Sequence, residues 1–213
     1  MQSEKCYHLS YGMVNLPEGR MKSREGTVVD ADPMMDELND LASAKLKENN
    51  PDMSEKEIYQ VAEQIQNAAW KFYLLKTTPT KSIMFEAAKA IDFQGATGPY
   101  LQYAGVRIKS ILAKAGNADT SNMEFTEAEK PLGIKIMEWP DVLTRAAEAK
   151  NPTYIVTYLL ELAQTWSSFY AENSVMNAES ETLKNGRLAL AQKILTILET
   201  GLGILGIEIP EKM

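Results

Sequence analysis

The sequence predicts a mainly helical protein with a short stretch of strands and loops at its amino end. From about residue 32 onward, apolar residues recur three and four positions apart, which is the spacing that lines one face of a helix. Proline and capping residues mark the beginning of several of these segments. The first 30 residues instead alternate apolar and polar side chains around glycine and proline, as short strands joined by loops do.

Most expected elements have a recognisable start or stop. Strands are expected over residues 7–16, 27–29 and 82–85. Helices are expected over residues 32–48, 54–76, 99–115, 152–173 and 182–205, with one or two shorter helices over 126–150. Asp32 is expected to cap the first helix, and Ser54 and Glu57 have the spacing of a capping box. Pro131 and Pro140 are expected to interrupt the 126–150 segment, because proline inside a helix removes a hydrogen bond.

The composition is that of a folded chain and excludes several functional classes. With 213 residues, 45% apolar and 24% charged, the chain can bury a core in one large domain or two small ones, and it is not a disordered chain. Its single cysteine, Cys6, excludes an intramolecular disulfide and a cysteine-rich zinc site, and indicates a reducing, cytoplasmic setting. No apolar run approaches the ~20 residues of a membrane span. Strand-like sequence follows the first residues without a signal-peptide core, which suggests that the chain begins inside a fold.

Positive charge is concentrated in two short segments of an otherwise acidic chain. The net charge of −7 argues against a generally basic nucleic-acid coat protein but leaves room for local basic patches. The first segment is residues 1–24, with Lys5, Arg20, Lys22 and Arg24 against Glu4 and Glu18. The second is the helix over 99–116, with Arg107, Lys109 and Lys114 and no acidic residue. Anionic ligands are therefore expected at these two places.

The loop 20–26 and two weaker motifs are candidates for chemistry. Cations on a loop can close on the charge of a triphosphate, although a solvated basic turn fits the same residues. His8 is the sole histidine, so multi-histidine metal sites are excluded, and we expect it to be structural. Gly201–Gly206 matches the GxGxxG pattern in form. Because it ends a helix instead of opening one after a strand, we interpret it as a closely packed helix tail.

Tyr100, Tyr103 and Arg107 are three and four residues apart and therefore share one helix face. Two aromatic rings with a guanidinium one turn away can stack splayed bases and hold a phosphate, which is how single-stranded RNA loops are commonly bound. Core tyrosines beside a surface arginine fit the same spacing, and spacing alone favours that interpretation.

Several motifs, in one order along the chain, resemble those of class I arginyl-tRNA synthetases. The stretches 8–14 and 19–29 are similar to the family's second signature, in which the KMSKS loop is degenerate and ends in Ser-Arg-x-Gly. Residues 98–104 resemble its Gly-Pro-Tyr-x-Gln-Tyr-Ala helix. Residues 186–190 and 205–213 resemble the end of its DALR anticodon-binding domain. The likeness covers nearly the whole chain and is weakest over 117–150.

The resemblance implies a mainly α fold, in which a helical-bundle anticodon-binding domain follows connecting helices and a short β and loop remnant of a class I nucleotide-binding catalytic domain. The implied boundaries are residues 1–30 for the end of the catalytic domain, 31–92 for the connecting helices and 93–213 for the DALR-type domain. The implied reaction joins arginine to tRNA(Arg) through arginyl-adenylate, with ATP converted to AMP and pyrophosphate.

The resemblance also implies roles for individual residues. The loop that closes on ATP would contain Met21, Lys22, Ser23 and Arg24. Further nucleotide contacts would come from Arg20 and from Gly12, Met13 and Val14, the last three through backbone groups on a strand. The tRNA contacts would come from Tyr100, Tyr103, Arg107, Tyr170 and Met213. Arg20 replaces a common lysine and Lys22 a small hydroxyl residue, and both keep or add positive charge. Gly105 and Val106 replace a commoner His-Ala pair, so that histidine's contacts are absent.

Class I synthetases also need a HIGH motif, which this chain cannot supply with its one histidine. The chain is therefore expected to be the C-terminal part of a longer enzyme, or one half of a split one, and to be inactive alone. Its expected partners are tRNA(Arg), the missing N-terminal catalytic portion, arginine, and ATP with Mg²⁺, but no membrane and no structural metal. A monomeric, cytoplasmic enzyme is expected. The alternatives are a non-catalytic tRNA-binding module and a helical protein-interaction scaffold.

Overall fold

A computed structural model describes residues 6–15, 31–116 and 119–213, and in these ranges the protein is mainly helical, as predicted. The helices are α1 Ala31–Asn49, α2 Glu55–Leu75, α3 Ala87–Ala90, α4 Gly98–Ala115, α5 Lys130–Ala149, α6 Thr153–Glu172 and α7 Glu181–Ile204. Two short strands, β1 Val14–Asn15 and β2 Ile83–Met84, pair in parallel. No described helix combines the length and apolar character needed to cross a bilayer.

The helix starts follow from local capping chemistry. The Ser54 hydroxyl accepts a hydrogen bond from the Glu57 N–H, and the Glu57 carboxylate accepts one from the Ser54 N–H at 2.9 Å, so the predicted capping box is confirmed. Thr97 caps α4 by accepting from the Tyr100 N–H at 3.2 Å. The first helix begins one residue before the expected cap, so Asp32 lies in its first turn. Its carboxylate there is favourably placed next to the positive end of the helix dipole.

The predicted interruptions of the 126–150 segment are wrong, because one continuous helix, α5, follows a single 3₁₀ turn at Glu127–Glu129. Pro131 lies in the first turn, where a missing N–H leaves no hydrogen bond unmade. Pro140 is inside the helix, but packing on either side of it outweighs the lost bond. Leu132 and Ala146 are buried, and the Trp139 ring stacks on Tyr158 of α6 with 5.3 Å between centroids.

The strand expected over 7–16 is reduced to Val14–Asn15. A strand needs a hydrogen-bonding neighbour, and in the described ranges the only neighbour is the two-residue β2. The backbone nevertheless continues the pairing: the Ile83 N–H donates to the Met13 carbonyl and the Phe85 N–H to the Asn15 carbonyl, each at 2.8 Å. The strand expected over 27–29 lies outside the described residues.

Buried side chains form two clusters that share one helix. The first joins α1, α2 and α3 to the strand pair, and the second joins α4, α5, α6 and α7. Helix α2 contributes to both, with Ile65 and Ala69 in the first and Ala68 and Phe72 in the second. Gly98 lets the start of α4 approach α2, since a Cβ there would stand 2.3 Å from the Ala68 carbonyl oxygen.

The C-terminal tail returns from α7 to the region where the clusters meet. Gly206, with φ +70°, turns the chain after α7, as expected for a helix end and unlike a dinucleotide-binding turn. The buried Gln102 amide donates to the carbonyls of Gln64 at 3.1 Å and Glu208 at 2.7 Å. This one side chain therefore holds α2, α4 and the tail together.

Candidate nucleic-acid interface

Helix α4 places Tyr100, Tyr103 and Arg107 on one side because its opposite side is buried at Leu101 and Ile108. Tyr103 is 40% exposed, so it is not a core tyrosine. Tyr100 is half-buried, and its hydroxyl lies 3.4 Å from the Ser167 hydroxyl of α6. Tyr103 is therefore the more exposed of the two tyrosines.

The Arg107 guanidinium lies between two tyrosine rings. Its central carbon is 5.6 Å from the centroid of Tyr103 and 5.5 Å from that of Tyr170, which reaches it from α6. Tyr170 stacks in turn on the buried Trp166, with 5.8 Å between centroids and 26° between planes. These contacts are in the range of cation–π attraction and hold three flat groups side by side at the surface.

These residues line a depression that we call the arginine groove, of about 280 Å³. Its lining includes Phe93, Tyr103, Arg107, Trp166 and Tyr170. A second depression, the lysine groove, of about 390 Å³, adjoins it and shares Phe93, Gln94 and Tyr103. The rest of the lysine groove is formed by Lys45, Leu46, Asn49, Asn50 and Met213.

The five residues predicted to contact tRNA thus come together although they lie far apart in sequence. Tyr100, Tyr103, Arg107 and Tyr170 line the arginine groove, and Met213 lines the lysine groove. The cations of the basic segment of α4 do not all line the grooves, however. Lys109 is held 2.6 Å from the Glu211 carboxylate and 3.6 Å from that of Glu199, so of its cations Arg107 alone lines these grooves.

The tail that carries Met213 is held in place by polar contacts with α2. Lys212 donates a hydrogen bond to the Glu57 carboxylate, and Lys71 donates one to the Gly206 carbonyl. Hydrogen bonds from Lys212 and then Ser54 lower the pKa of Glu57 to about 2. The ionised Glu57 therefore caps α2 and also fixes the tail next to the lysine groove.

Three residues that line the grooves, Phe93, Gln94 and Lys45, have no predicted role. Phe93 and Gln94 precede the 98–104 motif and line both grooves, so they form part of the wall between them. Lys45 lies 5.2 Å from the Phe93 ring centroid and donates to the Ile91 carbonyl at 3.2 Å. Helical spacing on α1 marks Lys45 only as a residue at the edge of the buried face, so no local pattern could have placed it there.

The predicted nucleotide-binding residues at the amino end are only partly described. Gly12 lies against β2, where a Cβ would stand 2.2 Å from the Lys81 carbonyl oxygen. Its N–H donates to the Pro79 carbonyl at 2.7 Å. Met13 keeps a side chain that is 58% exposed, and Val14 pairs with Ile83. The other candidates, Arg20, Met21, Lys22, Ser23 and Arg24, lie outside the described residues.

Comparison with known proteins gives two adjoining family matches. Residues 101–213 match the model of the DALR anticodon binding domain, and residues 1–87 match that of the catalytic domain of class I (R) tRNA synthetases. The arginine–tRNA ligase of Flavobacterium psychrophilum is 42% identical over 99% of this chain and 36% of its own length. That of Treponema denticola is 37% identical over 99% of this chain and 38% of its own length.

Among solved structures, the arginyl-tRNA synthetase of Thermus thermophilus superposes with a TM-score of 0.89 at 35% identity, over 99% of this chain and 36% of that protein. The chain therefore spans a little over a third of the length of the curated relatives it matches.

Proposed function

Because this chain belongs to the DALR anticodon-binding family and carries part of a class I (R) tRNA synthetase catalytic domain, we propose that it provides anticodon recognition and the ATP-closing loop of an arginine–tRNA ligase. The parent enzyme would join arginine to tRNA(Arg) at the expense of ATP, which becomes AMP and pyrophosphate. ATP would enter with Mg²⁺, and the enzyme would act as a cytoplasmic monomer. Residues 1–30 would end the catalytic domain, 31–92 connect it, and 93–213 read the anticodon.

The observation that carries this proposal is the position of Arg107 between Tyr103 and Tyr170. Unpaired bases of an RNA loop can stack on aromatic rings or on a guanidinium plane, and the same guanidinium can hold a phosphate. Tyr170 is supported from behind by Trp166, so the platform is formed before any ligand arrives. An anticodon loop offers unstacked bases and phosphates together, which is what this surface can bind.

The catalytic half of the proposal depends on the sequence of the loop 20–24. Its cations are of the kind that stabilise the charge developing on a triphosphate, and Ser23 adds a hydroxyl donor. Gly12, Met13 and Val14 would approach the adenine from the strand side. The remaining catalytic portion, with its HIGH motif, would complete the site.

Replacement of Arg107 tests the proposal. We expect Arg107→Gln to weaken binding of the whole chain to an arginine-tRNA anticodon stem–loop by about 1–2 kcal/mol, because it removes both the phosphate contact and the cation between the rings. Fluorescence anisotropy at fixed low salt measures this change. Arg145→Gln is the matched control, because Arg145 also lies over a tyrosine ring, 4.4 Å from the centroid of Tyr154, but outside both grooves.

Two further measurements sharpen this test. Arg107→Lys should keep the salt dependence of binding while losing part of the affinity, because lysine retains the charge without the planar fork. A blunt RNA duplex should bind the parent chain and both variants equally weakly. If Arg107→Gln and Arg145→Gln bind the stem–loop as the parent does, the arginine groove is not the RNA site and the proposal fails.

A further inference from the structure

The lysine groove continues the arginine groove towards α1, and nothing in the predicted set of tRNA contacts uses its α1 side. We propose that the lysine groove is a second nucleotide subsite, in which Lys45 holds a backbone phosphate and Asn49 reads the edge of a base next to the one bound beside Arg107. This inference rests on the proposed function, since it requires that RNA occupies the arginine groove.

The absence of acidic side chains is the first argument. The chain has 29 acidic residues against 22 basic ones, yet no Asp or Glu side chain lines either of these two grooves. The larger groove between α2 and the tail, about 680 Å³, is lined by Glu57, Glu63, Glu208 and Glu211. The depression beside α5 and α6 is lined by Glu161 and Glu172. A continuous surface without Asp or Glu side chains, with one cationic side chain in each groove, matches a polyanion that passes from one groove to the other.

The shared wall is the second argument. Phe93 and Tyr103 line both grooves, so each ring borders two adjoining depressions. Flat rings between two cavities suit consecutive bases of a single strand, because stacking tolerates any base on either side. Lys45 lies 5.2 Å from the Phe93 centroid and Arg107 lies 5.6 Å from the Tyr103 centroid, so each of the two shared rings has its own cation.

The free polar groups are the third argument. One of the three Lys45 donors is used by the Ile91 carbonyl, which orients the ammonium and leaves two donors for a phosphate. The Asn50 amide is engaged with the Leu46 carbonyl at 3.4 Å. Asn49 is exposed at the last residue of α1, and within the described ranges its amide has no hydrogen-bond partner. An asparagine amide offers a donor and an acceptor side by side, which is the pattern that pairs with a base edge.

Lys45→Gln tests the phosphate contact. We expect weaker binding of the 213-residue chain to the anticodon stem–loop, and a slope of log affinity against log salt that is smaller in magnitude by about 0.7, as for one lost phosphate contact on a single strand. The matched control is Lys47→Gln, which removes the same charge from the same helix. Two residues correspond to about 200° around α1, so Lys47 points away from the groove. Its slope should equal that of the parent.

Asn49→Ala tests the base contact. The probes are stem–loops in which each loop nucleotide is replaced in turn by the other three. We expect the variant to lose at least about fivefold discrimination at one loop position and to keep the parent's preferences elsewhere. Asn67→Ala is the control, because Asn67 lies in the carboxylate-lined groove beside α2. It should leave every preference unchanged.

The outcomes separate this inference from the proposed function. If Arg107→Gln weakens binding while Lys45→Gln and Asn49→Ala match their controls, RNA uses the arginine groove alone and the second subsite is refuted. If Arg107→Gln has no effect either, the proposed function itself fails. A smaller salt slope for Lys45→Gln, together with altered preference at one position for Asn49→Ala, establishes the subsite. If only one of the two variants shows its expected effect, the role assigned to the residue replaced in the other variant is refuted.

Discussion

At the scale of single residues, the geometry around Arg107 explains how an acidic protein can present a binding surface for RNA. The rings of Tyr103 and Tyr170 lie against the guanidinium, and the guanidinium also lines the arginine groove. Lys109, on the next face of the same helix, is instead neutralised by Glu199 and Glu211. The charge that matters for binding is therefore local and oriented, and the net charge of −7 says little about it.

Tyr103→Ala should weaken binding to an anticodon stem–loop by about 1–3 kcal/mol, because a base loses its stacking partner. Isothermal titration at fixed low salt measures the change. Tyr59→Ala is the control, since Tyr59 is 66% exposed on α2 and lines neither groove. Equal affinities of Tyr103→Ala and the parent would contradict the stacking role.

A buried ion pair gives a prediction about stability. Arg187 donates to the Glu129 carboxylate at 2.7 Å, and both side chains are less than a tenth exposed. Arg187→Ala should lower the free energy of unfolding by about 3–5 kcal/mol, because it leaves a buried carboxylate without its partner. Urea denaturation followed by circular dichroism measures the loss. The exposed Lys130–Glu127 pair is the control, and Lys130→Ala should cost less than about 0.5 kcal/mol.

The Arg187–Glu129 pair also predicts how the stability of the fold changes with pH. Burial alone would raise the pKa of Glu129, but hydrogen bonds from Thr126 and then Arg187 outweigh it and hold that pKa below its ordinary value. A carboxyl group whose pKa is lowered in the folded state stabilises the fold at pH values above its unfolded pKa of about 4.3. This stabilisation is lost as the pH falls from there through the folded-state pKa. The acid sensitivity of unfolding should therefore be smaller in Arg187→Ala. An unchanged pH profile would contradict this assignment.

The residues also show what the sequence could and could not predict. The sequence predicts that Tyr103 and Arg107 lie together, because residues four apart share one face of a helix, and the structure confirms this contact. Lys45 could not be placed beside Phe93, because that contact depends on how α1 packs against the segment before α4. The exposure of Tyr103 could not be decided from spacing either, since a buried and an exposed tyrosine have the same periodicity.

At the scale of elements, α4 and α5 show how packing decides what local signals leave open. Pro140 carries a strong helix-breaking signal, yet α5 continues because Leu132 and Ala146 are buried on both sides of it. At the start of α4, by contrast, packing requires a residue that is unfavourable for a helix, a glycine. Gly98 has no room for a Cβ, since the Ala68 carbonyl oxygen would be 2.3 Å away.

Gly98→Ala should lower the free energy of unfolding by about 1–3 kcal/mol, because the added methyl forces α4 away from the α2 backbone. Thermal unfolding by calorimetry measures the effect. Gly133→Ala on α5 is the matched control, because its Cβ would have no neighbour within 4 Å. There the better helix propensity of alanine should raise stability by up to about 1 kcal/mol. A loss of stability in both variants would show that the close approach at Gly98 is not the cause.

At the scale of the whole molecule, the chain joins the proposed ATP-closing loop to the proposed anticodon reader through connecting helices. Both ends pack on α2, and they also touch directly, because the Lys150 ammonium at the end of α5 lies 4.4 Å from the Tyr7 ring centroid. The family's HIGH motif is not among these residues, and the chain spans about 36% of its first relative. The proposed binding function can therefore be tested in this chain, while the proposed chemistry would require the rest of the parent enzyme.

We expect this chain alone to show no ATP–pyrophosphate exchange with arginine and tRNA(Arg) present, and the full-length parent enzyme to show it under the same conditions. Exchange of labelled pyrophosphate into ATP measures both. Exchange by the purified chain at a rate comparable with the parent would overturn the assignment of the missing catalytic portion. In the parent, Arg24→Ala should reduce exchange while leaving stem–loop affinity unchanged, because its loop belongs to the catalytic half.

The sharing of α2 by both buried clusters also bears on cooperativity. Ile65 and Phe72 lie on different sides of one helix, and each is almost fully buried in a different cluster. Loss of α2 would expose buried residues of both clusters at once, because each cluster includes side chains from this helix. We therefore expect the unfolding of the two halves of the chain to be coupled through α2, even though two separate families describe them.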